Sequence, residues 1–425
     1  MSPIYRSVKF FCGMMLPPKS DPAKLEGARL VKLKRLLLHA RQNVAYYREL
    51  YENCDLELKQ LSDIRKIPIN NLARFKQQSS NAITTQLSPF DSLLKYSTSG
   101  SSGVPFIFYL SAEELQQRQM KTMRFLWFNG WKPWWRGAYL VNVVTPPPSW
   151  LDRIIMLRKK TISSQQDIRQ QAEQLIAFKP QLLYGIPSTL ERVAEWMINH
   201  KRSLSSIRLI LGEGETINYD CRERFKKAFG HPGMSSYGSR ECGIIGWSCP
   251  FCNQFHFDDD GIIAEIVAPE FATCGKNEIG RLLITVLDQY TTPIIRYDIG
   301  DLVRIQVAVP CSKIRFSQCS EIIGRAGDLL SDRQGRQFHV NDIHQQLLPL
   351  KEVLRIQFVE LDTTGRILIR YIALRDDNAA ELEIRKKMAK IIDAEISLCA
   401  SHELSLEEGG KYPLLIKKTV AVQRN

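Results

Sequence analysis

Serine, threonine and glycine are concentrated in one short stretch, Tyr96-Ser97-Thr98-Ser99-Gly100-Ser101-Ser102-Gly103-Val104-Pro105. Glycine lets a backbone come close to a phosphate, and backbone N–H groups and Ser/Thr hydroxyls donate hydrogen bonds to phosphate oxygens. The stretch is not a Walker A loop, because no Gly-Lys-Ser/Thr follows the glycines. Such composition is also typical of flexible surface loops. Phosphate binding here is therefore a hypothesis that depends on the other motifs of the chain.

Cysteine and histidine come close together in Cys249-Pro250-Phe251-Cys252 and His256. Thiolates and an imidazole are the ligands that tetrahedral Zn²⁺ favours, and the spacing is that of a zinc knuckle. A complete structural site needs a fourth donor, which either Cys311 or Cys242 would supply. The alternative is a set of free buried thiols and an ordinary core histidine. A metal here would be structural, because four protein ligands leave no position for water.

Three further motifs follow in order: Tyr237-Gly238-Ser239-Arg240-Glu241, Pro293-Ile294-Ile295-Arg296-Tyr297-Asp298-Ile299-Gly300-Asp301, and Gly324-Arg325-Ala326-Gly327-Asp328. With the Ser/Gly stretch, their order and spacing resemble the adenylate-forming superfamily of acyl-CoA synthetases and related ligases. Within it, the chain looks most like the phenylacetate–CoA ligase branch, which includes capsular-polysaccharide-type adenylyltransferases. Shorter stretches also resemble that branch: Ala40-Arg41-Gln42-Asn43-Val44-Ala45-Tyr46-Tyr47-Arg48, Tyr184-Gly185-Ile186-Pro187-Ser188 and Gly214-Glu215-Thr216.

The resemblance implies a ligase that joins a carboxylic acid to AMP, releases pyrophosphate, and passes the acyl group to a thiol or amine. Coenzyme A is the acceptor that it favours, and Mg²⁺ is the expected metal. Such a site must neutralise charge on the α-phosphate and hold the reactants in line. The implied ATP-binding residues are Thr98, Ser99, Gly100, Ser101, Ser102, Gly103, Gly214, Glu215, Tyr237, Gly238, Ser239, Asp301 and Arg325. The implied catalytic residues are Lys411, Glu241 and Arg240.

Several of these residues have specific roles by resemblance. The loop 98–103 would bind the β- and γ-phosphates, and Tyr237 and Gly238 would flank the adenine. Glu241 would help to hold Mg²⁺, a hard cation that prefers oxygen ligands. Members of the branch also carry a cysteine-rich turn before the Gly-Arg motif, which favours Cys311 as the fourth zinc ligand.

Three more roles concern residues nearer the C-terminus. Asp301 would accept hydrogen bonds from both ribose hydroxyls, as an ionised carboxylate can. Arg325 would reach the ribose or a phosphate, and Lys411 would bridge to the α-phosphate during adenylation. Each residue also has a plainer interpretation: Asp301 as a turn residue, Arg325 in a surface ion pair, and Lys411 as one solvated lysine among many.

The chain departs from the family pattern at three positions. Phe106 follows Pro105, where many family loops end in a lysine. Arg240 stands where the family usually has Thr or Ser beside the α-phosphate, so it would either stabilise charge there or block the site. Gly327 stands at the family's hinge aspartate, and glycine can absorb the backbone rotation that a hinge requires.

The elements that must position these residues alternate between helix and strand. Residues 22–53 are predicted as a helix, and 112–127 as another. Runs at 106–110, 138–144, 181–184 and 207–211 are predicted strands, which favours a mostly parallel sheet covered by helices on both faces. After Gly324 the pattern changes to strands near 355–359 and 366–372 and a helix over 379–392. We predict an α/β fold, with a large adenylation domain at 1–326 and a small, mobile α+β domain at 327–425.

The composition is that of a globular protein, which excludes a wholly disordered chain but leaves several functions open. The chain has 425 residues, 44% of them hydrophobic, and a formal net charge of +13, which fits anionic ligands such as nucleotides. Mostly scattered cysteines and the lack of a long apolar run predict a cytoplasmic protein without a membrane span, and an N-terminal segment that lies on a membrane surface is the alternative. Two other functions stay open: a degenerate member that binds a nucleotide or partner without turnover, and, on charge alone, a nucleic-acid binder, which we do not favour. The sequence does not decide the acid or the oligomeric state, for which a homodimer is one alternative.

Overall fold

The structure, a computed structural model, describes most of the chain. Its described residues are 21–98, 106–141, 158–215, 217, 219–249, 251–252, 254–268, 278–305, 309–312, 314–347, 350, 353–362, 365–373, 378–401, 404–405 and 413–417. The chain divides into two compact units. The first comprises Met1–Ile299 and Val303–Ile322, and the second comprises Gly300–Leu302 and Ile323–Asn425.

The first unit is built mainly of strands that alternate with helices. The strands up to the glycine-arginine motif are β1 (Leu94–Ser97), β2 (Ile107–Leu110), β3 (Gly137–Val141), β4 (Lys159–Ser163), β5 (Leu182–Gly185), β6 (Leu209–Glu213), β7 (Met234–Ser239), β8 (Gly243–Ser248), β9 (Phe255–Phe257), β10 (Ile262–Val267), β11 (Ile279–Val286), β12 (Tyr297–Arg304), β13 (Gln318–Cys319) and β14 (Glu321–Arg325). The helices are α1 (Pro22–Asn43), α2 (Ala45–Leu50), α3 (Leu72–Lys76), α4 (Ser80–Ile83), α5 (Ala112–Phe128), α6 (Ile168–Phe178), α7 (Pro187–Asn199) and α8 (Tyr219–Phe229), with 3₁₀ turns at Leu61–Lys66 and Phe90–Ser92.

The largest sheet has eight strands in the order β13-β9-β8-β7-β6-β5-β3-β4. Strands β4, β3, β5, β6 and β7 are parallel, whereas β8, β9 and β13 add to the edge in antiparallel pairs. The winding reverses between β3 and β5, because β4 lies on one side of β3 and β5 on the other. In open α/β sheets, ligands bind at the carboxyl ends of strands near such a reversal.

Helices cover both faces of this sheet. On one face, apolar residues of α6, α7 and α8 pack on the strands, with Val193 and Phe225 fully buried. On the other face, Phe125 of α5 packs against Trp247, which in turn packs against Phe316. A smaller sheet, in the order β10-β11-β12-β14, shares a second core with α1 and α2. Strands β1 and β2 form a separate antiparallel hairpin.

The second unit is a small α+β assembly. Its strands and helices are β15 (Leu329–Ser331), β16 (Gln337–His339), α9 (Val340–Leu347), β17 (Val353–Glu360), β18 (Arg366–Ala373), α10 (Ala379–Ile391), β19 (Glu395–Ala400) and β20 (Leu415–Lys417). The antiparallel pair β17–β18 lies at the centre of the sheet, and β20 and β19 join its two sides in parallel. Phe358, Ile369, Ile384 and Met388 form the fully buried centre of this unit's core.

The predicted mixed α/β fold is confirmed, with two local differences. The single helix predicted over 22–53 is two helices, because Val44 takes extended backbone angles (φ −126°, ψ 118°) and ends α1. The three antiparallel strands at the edge of the large sheet were not predicted. The predicted boundary at 326/327 differs from the division of the structure, which falls at 322/323 and includes Gly300–Leu302 in the second unit. Within the described part of the chain, no helix is both long and apolar enough to span a membrane.

Candidate functional site

The Tyr-Gly-Ser-Arg-Glu motif forms the turn between β7 and β8. Ser239 pairs with Gly243 across this antiparallel connection, and Ser239 Oγ accepts a hydrogen bond from the Cys242 N–H at 3.1 Å. Gly238 must be glycine, because a Cβ there would lie 2.3 Å from the Gly243 carbonyl oxygen. Tyr237 is half-buried just before the turn. The tight turn thus places the next two side chains, those of residues 240 and 241, at the end of β7.

Glu241 is a nearly buried carboxylate, with 6% of the residue exposed. Its Oε1 accepts a hydrogen bond from the hydroxyl of Tyr297 at 3.3 Å. Tyr297 is itself completely buried, at the start of β12. The tyrosine of the Arg-Tyr-x-x-Gly-Asp motif therefore orients the acidic residue of another motif, and no local sequence pattern predicts this contact.

The segment that carries Tyr297 is fixed by several buried contacts. The hydroxyl of Tyr47, from the Ala40–Arg48 stretch, donates to the Pro293 carbonyl at 2.8 Å. Arg296 forms a two-point ion pair with Glu265 at 2.8 and 2.9 Å, and also donates to the carbonyl of Ile67. These contacts hold the Ala40–Arg48 stretch against the segment that carries the arginine motif.

The Ser/Gly loop is the connection of the β1–β2 hairpin. Thr98 closes its neck: the Thr98 N–H donates to the Phe106 carbonyl at 2.9 Å, and the Phe106 N–H donates to Thr98 Oγ1 at 3.2 Å. The exposed side chain of Arg240 donates from Nη1 to the Ser97 carbonyl at 2.9 Å. The neck of the loop and the Arg240–Glu241 turn therefore lie together in the first unit. Ser99, Gly100, Ser101, Ser102 and Gly103 are outside the described residues.

Gly214 and Glu215 follow β6, at the carboxyl end of the large sheet. Gly214 has a positive φ of 87°, which favours glycine. Glu215 accepts from the N–H and the hydroxyl of Ser188 at 2.9 and 3.0 Å, at the first turn of α7, where a carboxylate is favoured by the helix dipole. In this structure Glu215 thus fixes a helix start, and the Tyr184 hydroxyl donates to neighbouring Glu213.

Asp301 and Arg325 meet within the second unit. Arg325 Nε lies 3.2 Å from Asp301 Oδ1, and the Asp301 side chain is 10% exposed while that of Arg325 is half-exposed. The Ala326 N–H donates to the Gly300 carbonyl at 2.8 Å, which fixes the backbone beside the pair. The ion pair fits the plainer interpretation of Arg325, and it also places a carboxylate and a guanidinium side by side.

Cys249, Cys252, His256 and Cys311 converge at the edge of the large sheet. Their potential ligand atoms all lie within 4.8 Å of one another. The sulfur atoms of Cys249 and Cys311 are 3.8 Å apart, and Cys252 Sγ is 3.2 Å from His256 Nε2. The other ring nitrogen of His256 lies 3.3 Å from the Phe316 carbonyl oxygen. Burial raises the pKa of the Cys249 thiol to about 12.

Two further candidate residues, Cys242 and Lys411, are not seen in the sites predicted for them. Cys242, the alternative fourth ligand, lies instead in a small cavity lined by residues of α5 and by Asp288. Lys411 is outside the described residues.

Sequence reasoning missed Arg118, which contacts the Arg240–Glu241 turn. Its guanidinium donates to the carbonyl oxygens of both residues. The available signal was the spacing of Glu114, Arg118 and Lys121, which repeats at four and three residues and so puts three charges on one face of α5. Burial lowers the pKa of Arg118.

The fold of this chain is similar to that of solved adenylate-forming acyl-CoA ligases. A solved structure of 2-hydroxyisobutyryl-CoA ligase, in the postadenylation state with 2-HIB-AMP, superposes with a TM-score of 0.78 at 18% identity. The superposition covers 95% of this chain and 94% of that one. The resemblance to the superfamily is therefore confirmed at the level of fold.

Two curated relatives are similar in sequence to this chain over most of its length. Protein CapK of Staphylococcus aureus is 23% identical over 369 residues, which cover 82% of this chain and 78% of the relative. Phenylacetate-coenzyme A ligase of Escherichia coli (strain K12) is 22% identical over 374 residues, covering 83% and 84%. No family model matches the chain.

Proposed function

We propose that this protein is an AMP-forming ligase that activates a carboxylic acid with ATP and transfers the acyl group to coenzyme A. A carboxylate oxygen attacks the α-phosphorus, pyrophosphate leaves, and a thiolate then attacks the acyl carbonyl and displaces AMP. The observation that carries the proposal is the contact of Arg240 with Ser97. It brings the Arg240–Glu241 turn to the neck of the Ser/Gly loop, on the fold of the acyl-CoA ligases.

In this proposal the nucleotide-binding residues have separate roles. The loop 98–103 binds the outer phosphates, Tyr237 and Gly238 flank the adenine, and Asp301 accepts from the ribose hydroxyls with Arg325 beside it. The ion pair supports this role, because it holds the Arg325 guanidinium beside the Asp301 carboxylate. A cytoplasmic location, where ATP and coenzyme A are available, belongs to the same proposal.

Glu241 is the residue that would hold Mg²⁺, and its surroundings fit this task. An ionised carboxylate has about four acceptor positions, and the Tyr297 hydroxyl occupies one of them. A hard cation prefers such oxygen ligands together with phosphate oxygens, and when bound it neutralises phosphate charge. Tyr297 keeps the Glu241 carboxylate oriented, so that the side chain need not reorganise when the nucleotide enters.

In this proposal Arg240 stabilises charge on the α-phosphate and does not block the site. A guanidinium has five N–H donors, and the contact with Ser97 uses one of them. The remaining donors suit phosphate oxygens, which arginine binds with two parallel hydrogen bonds. The Ser97 contact also ties the arginine to the start of the loop, so loop and arginine act on the phosphates together.

The second unit acts as a lid that rotates about Gly327, with Lys411 reaching the α-phosphate only during adenylation. Gly327 has no steric reason to be glycine in this conformation, because a Cβ there would meet nothing within 4 Å. A hinge at this position would require glycine, since glycine tolerates backbone angles that other residues avoid. The large domain at 1–326 and the small domain at 327–425 are the moving parts.

Cys249, Cys252, His256 and Cys311 hold a structural Zn²⁺ in the same proposal. Three sulfurs and one imidazole are a donor set that tetrahedral zinc favours, and zinc–sulfur bonds of ~2.3 Å would put two sulfurs ~3.8 Å apart. The separation of Cys249 and Cys311 is 3.8 Å. The Phe316 carbonyl beside Nδ1 of His256 leaves Nε2 as the metal-binding nitrogen.

The test is a pyrophosphate-release assay over a panel of carboxylic acids, with ATP, Mg²⁺ and coenzyme A. We expect ATP-dependent release with at least one acid and formation of the matching thioester. ATP binding without release for any acid would instead favour nucleotide binding without turnover. A protein that binds no ATP contradicts the proposal.

A further inference from the structure

A single arginine of α5 contacts the turn that carries Arg240 and Glu241. Arg118 Nη1 donates to the Arg240 carbonyl at 2.7 Å, and Nη2 donates to the Glu241 carbonyl at 2.5 Å. Nη2 also donates to Gln289 Oε1 at 2.6 Å. One guanidinium thus fixes two consecutive peptide carbonyls, because its donors form a rigid planar fork.

The helix that carries this arginine is itself fixed at its start. Ser111 and Glu114 form a capping box at the first turn of α5. Glu114 Oε1 also accepts from the N–H groups of Tyr290 and Thr291, at 2.6 and 2.8 Å. Arg118 lies one helical turn beyond Glu114, so its side chain extends from a well-anchored base.

The surroundings of Arg118 leave its side chain little freedom. Its guanidinium carbon lies 5.8 Å from the centre of the Phe108 ring. Its side chain also packs on Gly243, where an added Cβ would lie 3.4 Å from Nε. A partly buried cation needs hydrogen-bond partners. The carbonyls of the turn supply them, which makes the conformation of the turn and the position of Arg118 interdependent.

We propose that Arg118 is a positioning residue for adenylation: by binding the carbonyls of residues 240 and 241, it holds the turn so that the Arg240 guanidinium and the Glu241 carboxylate face the nucleotide. Arg118 acts through these two side chains and does not itself touch the substrate. The inference rests on the proposed function, in which Glu241 holds Mg²⁺.

The experiment measures ATP affinity by isothermal titration calorimetry, once with excess Mg²⁺ and once with EDTA. The readout is the gain in affinity that Mg²⁺ provides. We expect Arg118→Met to reduce this gain by about 10- to 100-fold, the size expected when a charged hydrogen-bonding group is lost. Glu241→Gln should reduce it similarly, and the double variant should lose no more of the gain than Glu241→Gln alone, because Arg118 affects the Mg²⁺-dependent part of ATP binding through Glu241.

Arg124→Met is the matched control, since Arg124 lies on the same helix and pairs with Asp260. It should keep the wild-type gain even where it lowers stability. If Arg118→Met does not fold, Arg118→Lys is used, and we expect an intermediate loss because lysine keeps the charge but not the planar fork.

A wild-type Mg²⁺ gain in the folded Arg118 variant overturns the inference and leaves the proposed function standing. Losses that add in the double variant also overturn it. Wild-type protein that binds no ATP overturns the proposed function and the inference together.

Discussion

Arg240 is the residue at which this chain departs furthest from the adenylate-forming pattern. Thr or Ser at that position offers one hydroxyl, whereas a guanidinium offers several N–H donors and a permanent charge. In the structure it bridges two pieces of the candidate site, since its side chain donates to the Ser97 carbonyl and its own carbonyl accepts from Arg118. The arginine therefore contributes to the architecture of the site whatever it does to a phosphate.

Asp301 gives a residue-level prediction on ribose binding. Asp301→Ala should weaken ATP binding by about 10- to 100-fold, because it removes a charged acceptor of hydrogen bonds. It should also remove the preference for ATP over 2′,3′-dideoxy-ATP, which lacks the hydroxyls that Asp301 would bind. Titration calorimetry with both nucleotides makes the measurement.

The control for Asp301 is another carboxylate of the second unit. Asp362 pairs with Arg366 as Asp301 pairs with Arg325, so Asp362→Ala should leave both nucleotide affinities unchanged. A folded Asp301→Ala protein that still prefers ATP over the dideoxy analogue would remove Asp301 from the ribose site.

At the scale of elements, the residue just before β12 has an unusual backbone conformation and forms a buried ion pair. Arg296 has a positive φ of 42°, which non-glycine residues rarely adopt. Its pairing with Glu265 is nearly solvent-free, with 5% and 11% of the two side chains exposed. Because Tyr297 follows directly, this pair helps to place the residue that orients Glu241.

Glu265→Gln should therefore destabilise the first unit by about 3–5 kcal/mol, since it leaves a buried arginine without its counter-charge. Guanidinium unfolding followed by tryptophan fluorescence measures the change. Glu173→Gln, which breaks the exposed pair with Arg169, should cost no more than about 1 kcal/mol. An equal loss of unfolding free energy in the two variants would show that the buried pair stabilises the protein no more than the exposed pair.

The cysteine cluster gives a second prediction at this scale. Purified protein should contain about one zinc per chain, and Cys249→Ser should lose both the metal and thermal stability, because metal binding contributes directly to folding. Cys319 is a buried cysteine of the same sheet edge, so Cys319→Ser should lose some stability but keep the zinc. Elemental analysis that finds no zinc in chelator-free wild-type protein contradicts the assignment.

Elements with strong local patterns were predictable, and contacts between distant segments were not. The strand ending at Gly185 and the helix starting at Ala112 follow from apolar spacing and a capping box. The short strands β9 and β13 carry too few residues for a pattern to show. Arg118 was missed because its partners lie more than 100 residues away in sequence, with separations of 122 and 123.

At the scale of the whole molecule, strands β12 and β14 each contain residues of both units. Gly300–Leu302, in the middle of β12, belong to the second unit, whereas Tyr297, at its start, belongs to the first. The strand therefore carries a residue that orients Glu241 and, four residues later, the proposed ribose anchor Asp301.

The lid mechanism makes a prediction that separates the two half-reactions. If Lys411 bridges the acyl carboxylate and the α-phosphate only during adenylation, Lys411→Ala should suppress acyl-AMP formation by orders of magnitude, because a positioned charge is lost. The same variant, supplied with pre-made acyl-AMP and coenzyme A, should still form the thioester, since the lid has by then turned the lysine away. Quenched-flow measurement of each half-reaction tests both statements, with Lys417→Ala as control because Lys417 lies near Glu360 in the second unit. Equal loss in both half-reactions would mean that Lys411 is structural or that the lid does not rotate.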